Sequence, residues 1–266
     1  MMIHYNKITG SVLLYVLWIL VVISLLSFKL SSASKVVMTK QASEVSQIKK
    51  NLQLGSAIQF ATFKILTNDW ENKQYEQNLN NQRINIEIYN ESGFISLYEI
   101  NNLSLKNVFK SAGIDLSEQE DLKAQLEEKK LHFNDFYELA QFEGITLEDV
   151  QALIPYVSIY HEEGVNPAQS PAYVLSKIAG VDQYRVGKLI AATDAAEMTE
   201  IRNEIVEILN TQDTAMSVYT NNYYRIHVSL DSRLYRVFIK QNRRNNEFIV
   251  VNTILHIETA PIDSEI

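Results

Sequence analysis

Ser11–Phe28 reads SVLLYVLWILVVISLLSF, and no Lys, Arg, Asp or Glu stands between Lys7 and Lys29. Wound as an α-helix at about 1.5 Å per residue, this run is roughly 27 Å long, close to the hydrocarbon thickness of a bilayer. The spacing predicts a membrane-spanning helix over 11–28, from which the rest of the chain hangs. A secretory signal peptide would have a shorter apolar core, then a small-residue cleavage site and a turn. Here Lys29–Lys50 continues without Pro or Gly, in small, polar and β-branched residues that one long helix accommodates. A buried core helix is rarely free of charge over so many positions.

On the C-terminal side the helix is expected to run to about Leu66. Val45, Ile48, Leu52, Ser56, Phe60, Phe63 and Leu66 recur at spacings of three and four, so they share one face, which needs a sheet or a partner helix to cover it. Asn68–Gln82 is polar and Asn-rich and reads as a loop. Arg83–Tyr89 (RINIEIY) alternates as a half-buried strand does; NESG at 90–93 is a turn, and FISL at 94–97 a second short strand completing a hairpin. After Asn210 the period of two returns in Tyr223–Leu230, Arg233–Lys240 and Glu247–Ile257, joined by turns at Asp231–Ser232 and Gln241–Asn246. These three strands complete the sheet that 83–97 opens, an α+β arrangement.

Between the two groups of strands, from about Ile100 to Leu209, the apolar spacing is helical. Leu139, Phe142, Gly144, Ile145, Val150, Leu153 and Ile154 recur 36 residues later as Leu175, Ile178, Gly180, Val181, Val186, Leu189 and Ile190. Each copy reads as helix, tight turn at Gly, helix. A weaker relative is VFKSAGI at Val108–Ile114. The unit resembles the helix-hairpin-helix, which grips nucleic-acid backbones through hairpin amides and flanking Lys or Arg. FEGITLED, Phe142–Asp149, is acidic around its Gly, and IAGVDQYR, Ile178–Arg185, offers one Asp and one Arg. Phosphate contacts need local positive charge, so helical packing is the favoured role.

Composition excludes several classes of function. There is no Cys, hence no disulfide framework and no thiolate metal site. The net charge of −8 disfavours a surface that tracks phosphates. His4, His132, His161, His227 and His256 are scattered without metal-ligand spacing, and neither a nucleophile elbow nor a Gly-rich phosphate loop occurs, so no catalytic residue is assigned. QNRRNN at 241–246 reads as a solvated basic hairpin tip.

The leader MMIHYNKITG ends in Gly10 directly against the apolar helix. It resembles the leader of type IV pilins and type II secretion pseudopilins. VNPAQSPAYVLSKIAGV, Val165–Val181, resembles the signature of the type II secretion minor pseudopilin K, the general secretion pathway protein K family. There Asn166 and Pro167 would start a turn, and Ser170 would cap a helix with Pro171 at its first position. ESGFISLYEINNLSLKNVFKSAGI, Glu91–Ile114, resembles that family's D-E-x-G-x-I-N-L-N segment, departing from it at Ser96 and Tyr98.

The resemblance implies a pilin-like α+β fold, its long N-terminal helix packed on an antiparallel sheet, with an inserted all-α domain containing helix-hairpin-helix-like repeats. The divisions are leader 1–10, transmembrane helix 11–28, pilin-like domain 29–99 and 211–266, and inserted helical domain 100–210. It further implies cleavage by a prepilin peptidase between Gly10 and Ser11, and methylation of the Ser11 amine. The protein would cross the bacterial inner membrane once, with its C-terminal domain in the periplasm. The flanking charges, with Lys29, Lys35 and Lys40 after the span and Lys7 before it, argue weakly against that orientation.

Family members that form filament shafts carry Glu as the fifth mature residue; here that place is held by Tyr15. An intramembrane carboxylate is costly without a partner, so its absence suits a subunit at the pseudopilus tip. The implied partners are minor pseudopilins I and J, the major pseudopilin and the prepilin peptidase, with no nucleic acid. Members resemble calcium-dependent pseudopilins, and Asp69, Glu71, Asp213 and Asp231 lie in loops of suitable character; none shows a dense D-x-D-x-D run, and no ligand is assigned. The alternatives are a membrane-tethered helix-hairpin-helix protein of DNA uptake and a minor pilin of a type IV pilus.

Overall fold

The computed structural model describes residues 8–256 except 71–73, 80–81, 100, 117, 128–131, 163, 212–215, 218–219 and 231–232; the side chains of 8–14, 30, 32, 33, 36, 126, 127, 195, 211 and 256 are also outside the described set. The chain forms two compact units, Met1–Gly55 and Ser56–Ile266. The first is the greater part of helix α1, Ile8–Leu66. No Pro interrupts those residues, and Gly10 and Gly55 are tolerated within the helix.

The second unit is built on a five-stranded antiparallel sheet. Its strands are β1 (Gln74–Leu79), β2 (Gln82–Asn90), β5 (Tyr223–Leu230), β6 (Arg233–Asn242) and β7 (Glu247–His256), in the order β1-β2-β5-β6-β7. β2 and β5 are neighbours, with Ile88 opposite Ile226, so everything between them in sequence leaves the sheet and returns. The three C-terminal strands fall where their alternation puts them. β1 is an addition: six mostly polar residues, QYEQNL, within the expected Asn-rich loop, paired with β2 from Gln74 opposite Glu87 to Leu79 opposite Gln82.

The register gives the sheet two unlike faces. Ile84, Ile86, Ile88, Ile226, Val228, Val237 and Ile239 lie on one face and are buried. The contacts of Phe60 with Tyr75, at 5.2 Å, and of Trp70 with Tyr224, at 5.4 Å, place the end of α1 over that face. The helix turns an unexpected side toward it. In this unit Ala57, Ala61 and Ile65 are buried, whereas Phe63 is 58% and Leu66 48% exposed. Small residues at spacing four let the helix axis approach the sheet closely, which the bulkier stripe does not allow.

The opposite face carries Glu87, Tyr89, Arg225, His227, Arg236 and Phe238 and is covered by the intervening segment. That segment comprises a 3-10 turn Glu91–Gly93, β3 (Ile95–Ser96), α2 (Leu103–Ser111), α3 (Glu120–Glu127), a 3-10 helix Phe136–Gln141, α4 (Leu147–Leu153), β4 (Val157–Ser158), α5 (Ala172–Leu175), α6 (Gln183–Ala191) and α7 (Ala195–Thr211). The hairpin expected from 83–97 does not form. Ile95 and Ser96 pair in parallel with Val157 and Ser158, far along the chain, because the 3-10 turn at 91–93 carries the backbone off the sheet.

One core joins the segment to the sheet: Phe94, Leu105, Phe109, Phe136, Leu153 and Val157 cluster with Phe238 and Ile254. A second core lies among α5, α6 and α7. Residues 100–210, expected as an inserted helical domain, thus share a compact unit with the sheet. Within them the first arms of the two repeat copies are a six-residue 3-10 helix and the single turn Ala172–Leu175, in place of full helices.

Candidate functional site

In the first unit the stretch of α1 up to Phe28 is apolar on all sides, and its described side chains are exposed. Tyr15 is 70%, Trp18 67% and Phe28 74% exposed, and farther along Val45, Ile48 and Leu52 are 60–68% exposed. A rod of this kind needs lipid or other helices around it. The backbone of α1 passes through Gly10 and Ser11, the expected processing point, as continuous helix. The Ser11 side chain lies outside the described residues. Among the described residues no helix is long and apolar enough to cross a membrane; the apolar run of 11–28 enters that set only in part, since its side chains are described from Tyr15 onward.

Where the second unit meets its inserted segment, an ion pair with no solvent exposure ties the two together. Arg225 on β5 donates through Nε to Glu91 Oε1 at 2.6 Å and through Nη2 to Glu91 Oε2 at 3.1 Å. Its remaining donors reach the carbonyls of Ile154, at 2.6 Å, and Val157, at 2.8 Å. The guanidinium lies 3.6 Å from the centroid of Phe94 and 4.9 Å from that of Phe238. Ser158 donates its hydroxyl to Glu91 Oε2. Every element that must stay in place for the segment to cover the sheet therefore meets at one guanidinium. Sequence reasoning missed this pair, because Glu91 and Arg225 lie far apart in the chain and each reads as an ordinary surface charge.

Beside it, His227 Nδ1 lies 3.6 Å from Glu87 Oε2, and its ring packs on Tyr89 at 5.1 Å. Burial pushes the imidazole down to about 4; Glu87 opposes that shift, and the nearby Arg236 and Arg225 reinforce it. Burial alone would raise the Glu87 carboxyl, but His227 and the Tyr89 hydroxyl hold it below its ordinary value. His227 is thus a buried cross-strand histidine, neutral at physiological pH.

The family-signature segment packs against the same region. Asn166 accepts from the Ala168 amide through Oδ1, making the expected turn. The Ser170 hydroxyl donates to the Asn166 carbonyl at 3.0 Å and does not cap α5; Pro171 occupies the cap position without a side-chain bond. The Asn166 amide donates to the Ser92 carbonyl at 2.7 Å, and a Cβ on Gly93 would collide with the Gln169 carbonyl. The stretches that carry the family resemblance, Glu91–Gly93 and Asn166–Ser170, are therefore in contact.

The glycines of the sequence repeat, Gly144 and Gly180, and Gly113 of its weaker relative, adopt φ of 79°, 90° and 84°, values that favour Gly. Most of the repeat's apolar residues are buried, as helical packing requires, with Phe142 and Val181 partly buried and Ile190 49% exposed. Thr146 and Asp149 form a capping box after Gly144, and Asp182 pairs with Arg185 after Gly180, so these side chains serve the local helix starts.

Of the loop acids considered for calcium, one lies among the described residues. Asp69 is engaged by Lys64 Nζ at 2.6 Å, and Glu71, Asp213 and Asp231 lie outside the described residues. No group of three His, Asp or Glu side chains able to hold a metal ion occurs among the described residues.

No family model matches the sequence, and no curated protein does. The fold does have a counterpart: a chain in the crystal structure of the GspK-GspI-GspJ complex from the enterotoxigenic Escherichia coli Type 2 Secretion System. The TM-score is 0.54 at 10% sequence identity, and the match covers 82% of this chain and 99% of that one. The likeness spans nearly the whole of the other chain, and the fold is therefore shared with a chain of that complex.

Proposed function

We propose that this protein is a non-enzymatic minor pseudopilin at the tip of a type II secretion pseudopilus, where it helps initiate assembly and supports protein export across the outer membrane. The observation that carries the reading is the fold match to a chain of the GspK-GspI-GspJ complex. By that likeness its partners are minor pseudopilins I and J, with the major pseudopilin below them. In this reading the chain enters the inner membrane by residues 11–28, the prepilin peptidase cuts between Gly10 and Ser11, the Ser11 amine is methylated, and the C-terminal unit faces the periplasm.

The exposed apolar surface of α1 supplies the helix-packing face such an assembly needs. Tyr15 offers no carboxylate to a neighbour's N-terminal ammonium, so subunits can be added below this one and not above it. The helix-hairpin-helix-like repeats act in this reading as packing units, with Glu143, Glu148 and Asp149 around the Gly144 turn opposing a phosphate backbone.

Mass spectrometry of the protein purified from membranes tests the processing. A mature N-terminus at methylated Ser11 supports the reading, and an intact Met1 or a cut beyond Phe28 removes it. Co-purification with pseudopilins I and J tests the tip assembly, and finding the native subunit repeated along a fibre shaft would overturn it. Calcium dependence rests on the resemblance alone; an unchanged melting temperature on chelation would dismiss it.

A further inference from the structure

The two edges of the sheet are built differently. β1 is short and polar, with the Glu76 carboxylate paired to Arg83 at 2.5 Å. Polar, charged edges of this kind resist the addition of another strand. β7 is ten residues long, EFIVVNTILH, and its only Lys, Arg, Asp or Glu is Glu247 at the start. Ile249, Val250, Val251 and Leu255 are 58%, 49%, 38% and 43% exposed. A long apolar edge with no Pro or Lys is a template for an incoming strand.

Two features show what kind of strand fits. The register between β6 and β7 shifts at Phe238/Ile239, beside Val251, and Val251 lines a pocket of about 430 Å³ between the sheet and the covering segment. Its walls include Tyr98, His132, Phe133, Tyr160, Tyr223 and Val251. Tyr98 stacks on Phe133 at 6.4 Å and Tyr160 on Tyr223 at 5.2 Å, so the walls are largely aromatic faces. Burial raises the hydroxyls of Tyr98 and Tyr160 above their ordinary value, which keeps both neutral at physiological pH. The second feature is charge: the β6–β7 hairpin carries exposed Lys240, Arg243 and Arg244 at its tip, in a chain of net charge −8.

We infer that β7 is a docking edge for an extended segment of a second protein, which adds antiparallel to β7, places an aromatic or large aliphatic side chain in the pocket beside Val251, and sets acidic residues against Arg243 and Arg244. Main-chain hydrogen bonds supply the affinity, while the pocket and the basic tip select the sequence. An acid four to five residues C-terminal to the pocket residue meets the tip, because antiparallel pairing runs the incoming chain from Val251 back toward Glu247. The inference stands apart from tip placement and from the helix face of α1.

The test uses the full chain in detergent micelles and the fluorescein-labelled peptide KVTFTVTDE, read by fluorescence anisotropy, with circular-dichroism melting to establish that each variant folds. Saturable binding is expected, weakening as salt rises. It should fall at least about tenfold in Val251→Lys, in the double variant Arg243→Glu/Arg244→Glu, and when the peptide Phe is replaced by Ala. Hydrogen exchange in 247–256 should slow when the peptide binds. Ile249→Lys serves if Val251→Lys does not fold.

Absence of saturable binding at about 1 mM peptide, or unchanged affinity in both Lys variants, overturns the inference. Two competing occupants are also resolved. If truncation after His256 speeds exchange in β7 and tightens peptide binding, the edge belongs to the chain's own C-terminal segment. If Val251→Lys abolishes self-association in sedimentation, it belongs to a second copy. Either result refutes docking of another protein.

Discussion

Replacing Glu91 by Gln removes the countercharge from a guanidinium with no solvent exposure while keeping the side chain's size. Breaking a buried pair from one side costs on the order of 3–5 kcal/mol. Arg225 keeps the carbonyls of Ile154 and Val157 and its contact with the Phe94 face, so the loss should fall at the low end, about 3 kcal/mol. For a folded unit of this size that is roughly 6–12 °C in melting temperature. Arg225→Met leaves the opposite defect, a buried carboxylate held by the Ser158 hydroxyl. Glu91→Leu/Arg225→Met replaces both charges with apolar groups and should recover most of the loss.

The assay is urea unfolding of the full chain in micelles, followed by tryptophan fluorescence. Trp70 is 5% exposed and reports on the second unit, while Trp18 is 67% exposed. Hydrogen exchange adds the location: in Glu91→Gln the amides of Ile95, Leu97 and Tyr156, next to the clamp, should lose protection before those of β5 and β6. Single variants that each lower stability by less than about 1 kcal/mol, with additive effects in the double variant, would refute the clamp as the joint between sheet and segment.

Gly93→Ala drives a methyl group into the Gln169 carbonyl and should cost about 1–3 kcal/mol by urea unfolding, whereas Gly55→Ala meets nothing within 4 Å and should raise stability by about 0.5–1 kcal/mol. His227 is neutral in the fold down to about pH 4 but titrates near 6.5 when unfolded, so the unfolded chain binds the extra proton and stability declines as pH falls from about 6.5 to 4, by up to about 3 kcal/mol. The depressed Glu87 extends the loss at the acid end, and His227→Leu should flatten the upper part of the profile. Phe63→Ser, on the open side of α1, should leave the melting temperature nearly unchanged yet reduce co-purification with pseudopilins I and J; unchanged recovery would argue against that side as a partner face.

Local chemistry was legible in the sequence. The length of α1 shows in a charge-free run followed by residues without Pro; the three C-terminal strands show in alternation; and the Gly turns show in a repeat whose glycines adopt positive φ. Two other features are invisible to periodicity. β1 is an edge strand, and its polar alternation, half exposed throughout, looks like a loop when the partner β2 is not in view. β3 falls within FISL, which reads as a strand, but it pairs with β4 across a long stretch of chain, and nothing local marks that partner. The Glu91–Arg225 clamp belongs to the same class, because two opposite charges distant in sequence gain meaning only when the backbone brings both to one buried point.

The side of α1 that packs shows why apolar periodicity alone chooses wrongly. The expected stripe of Val45, Ile48, Leu52, Ser56, Phe60, Phe63 and Leu66 divides within the second unit: Phe60 packs on Tyr75, whereas Phe63 and Leu66 stay exposed. The sheet face offered to the end of the helix is already filled by buried Ile and Val side chains, so a helix approaching it does best with little bulk of its own, and Ala57 and Ala61 provide that. Phe63 and Leu66 are then left exposed. Within the second unit the helix thus packs chiefly with its smaller residues. The same division recurs at the sheet edges, polar where the chain ends its own pairing at β1 and apolar at β7, where a partner strand could continue it.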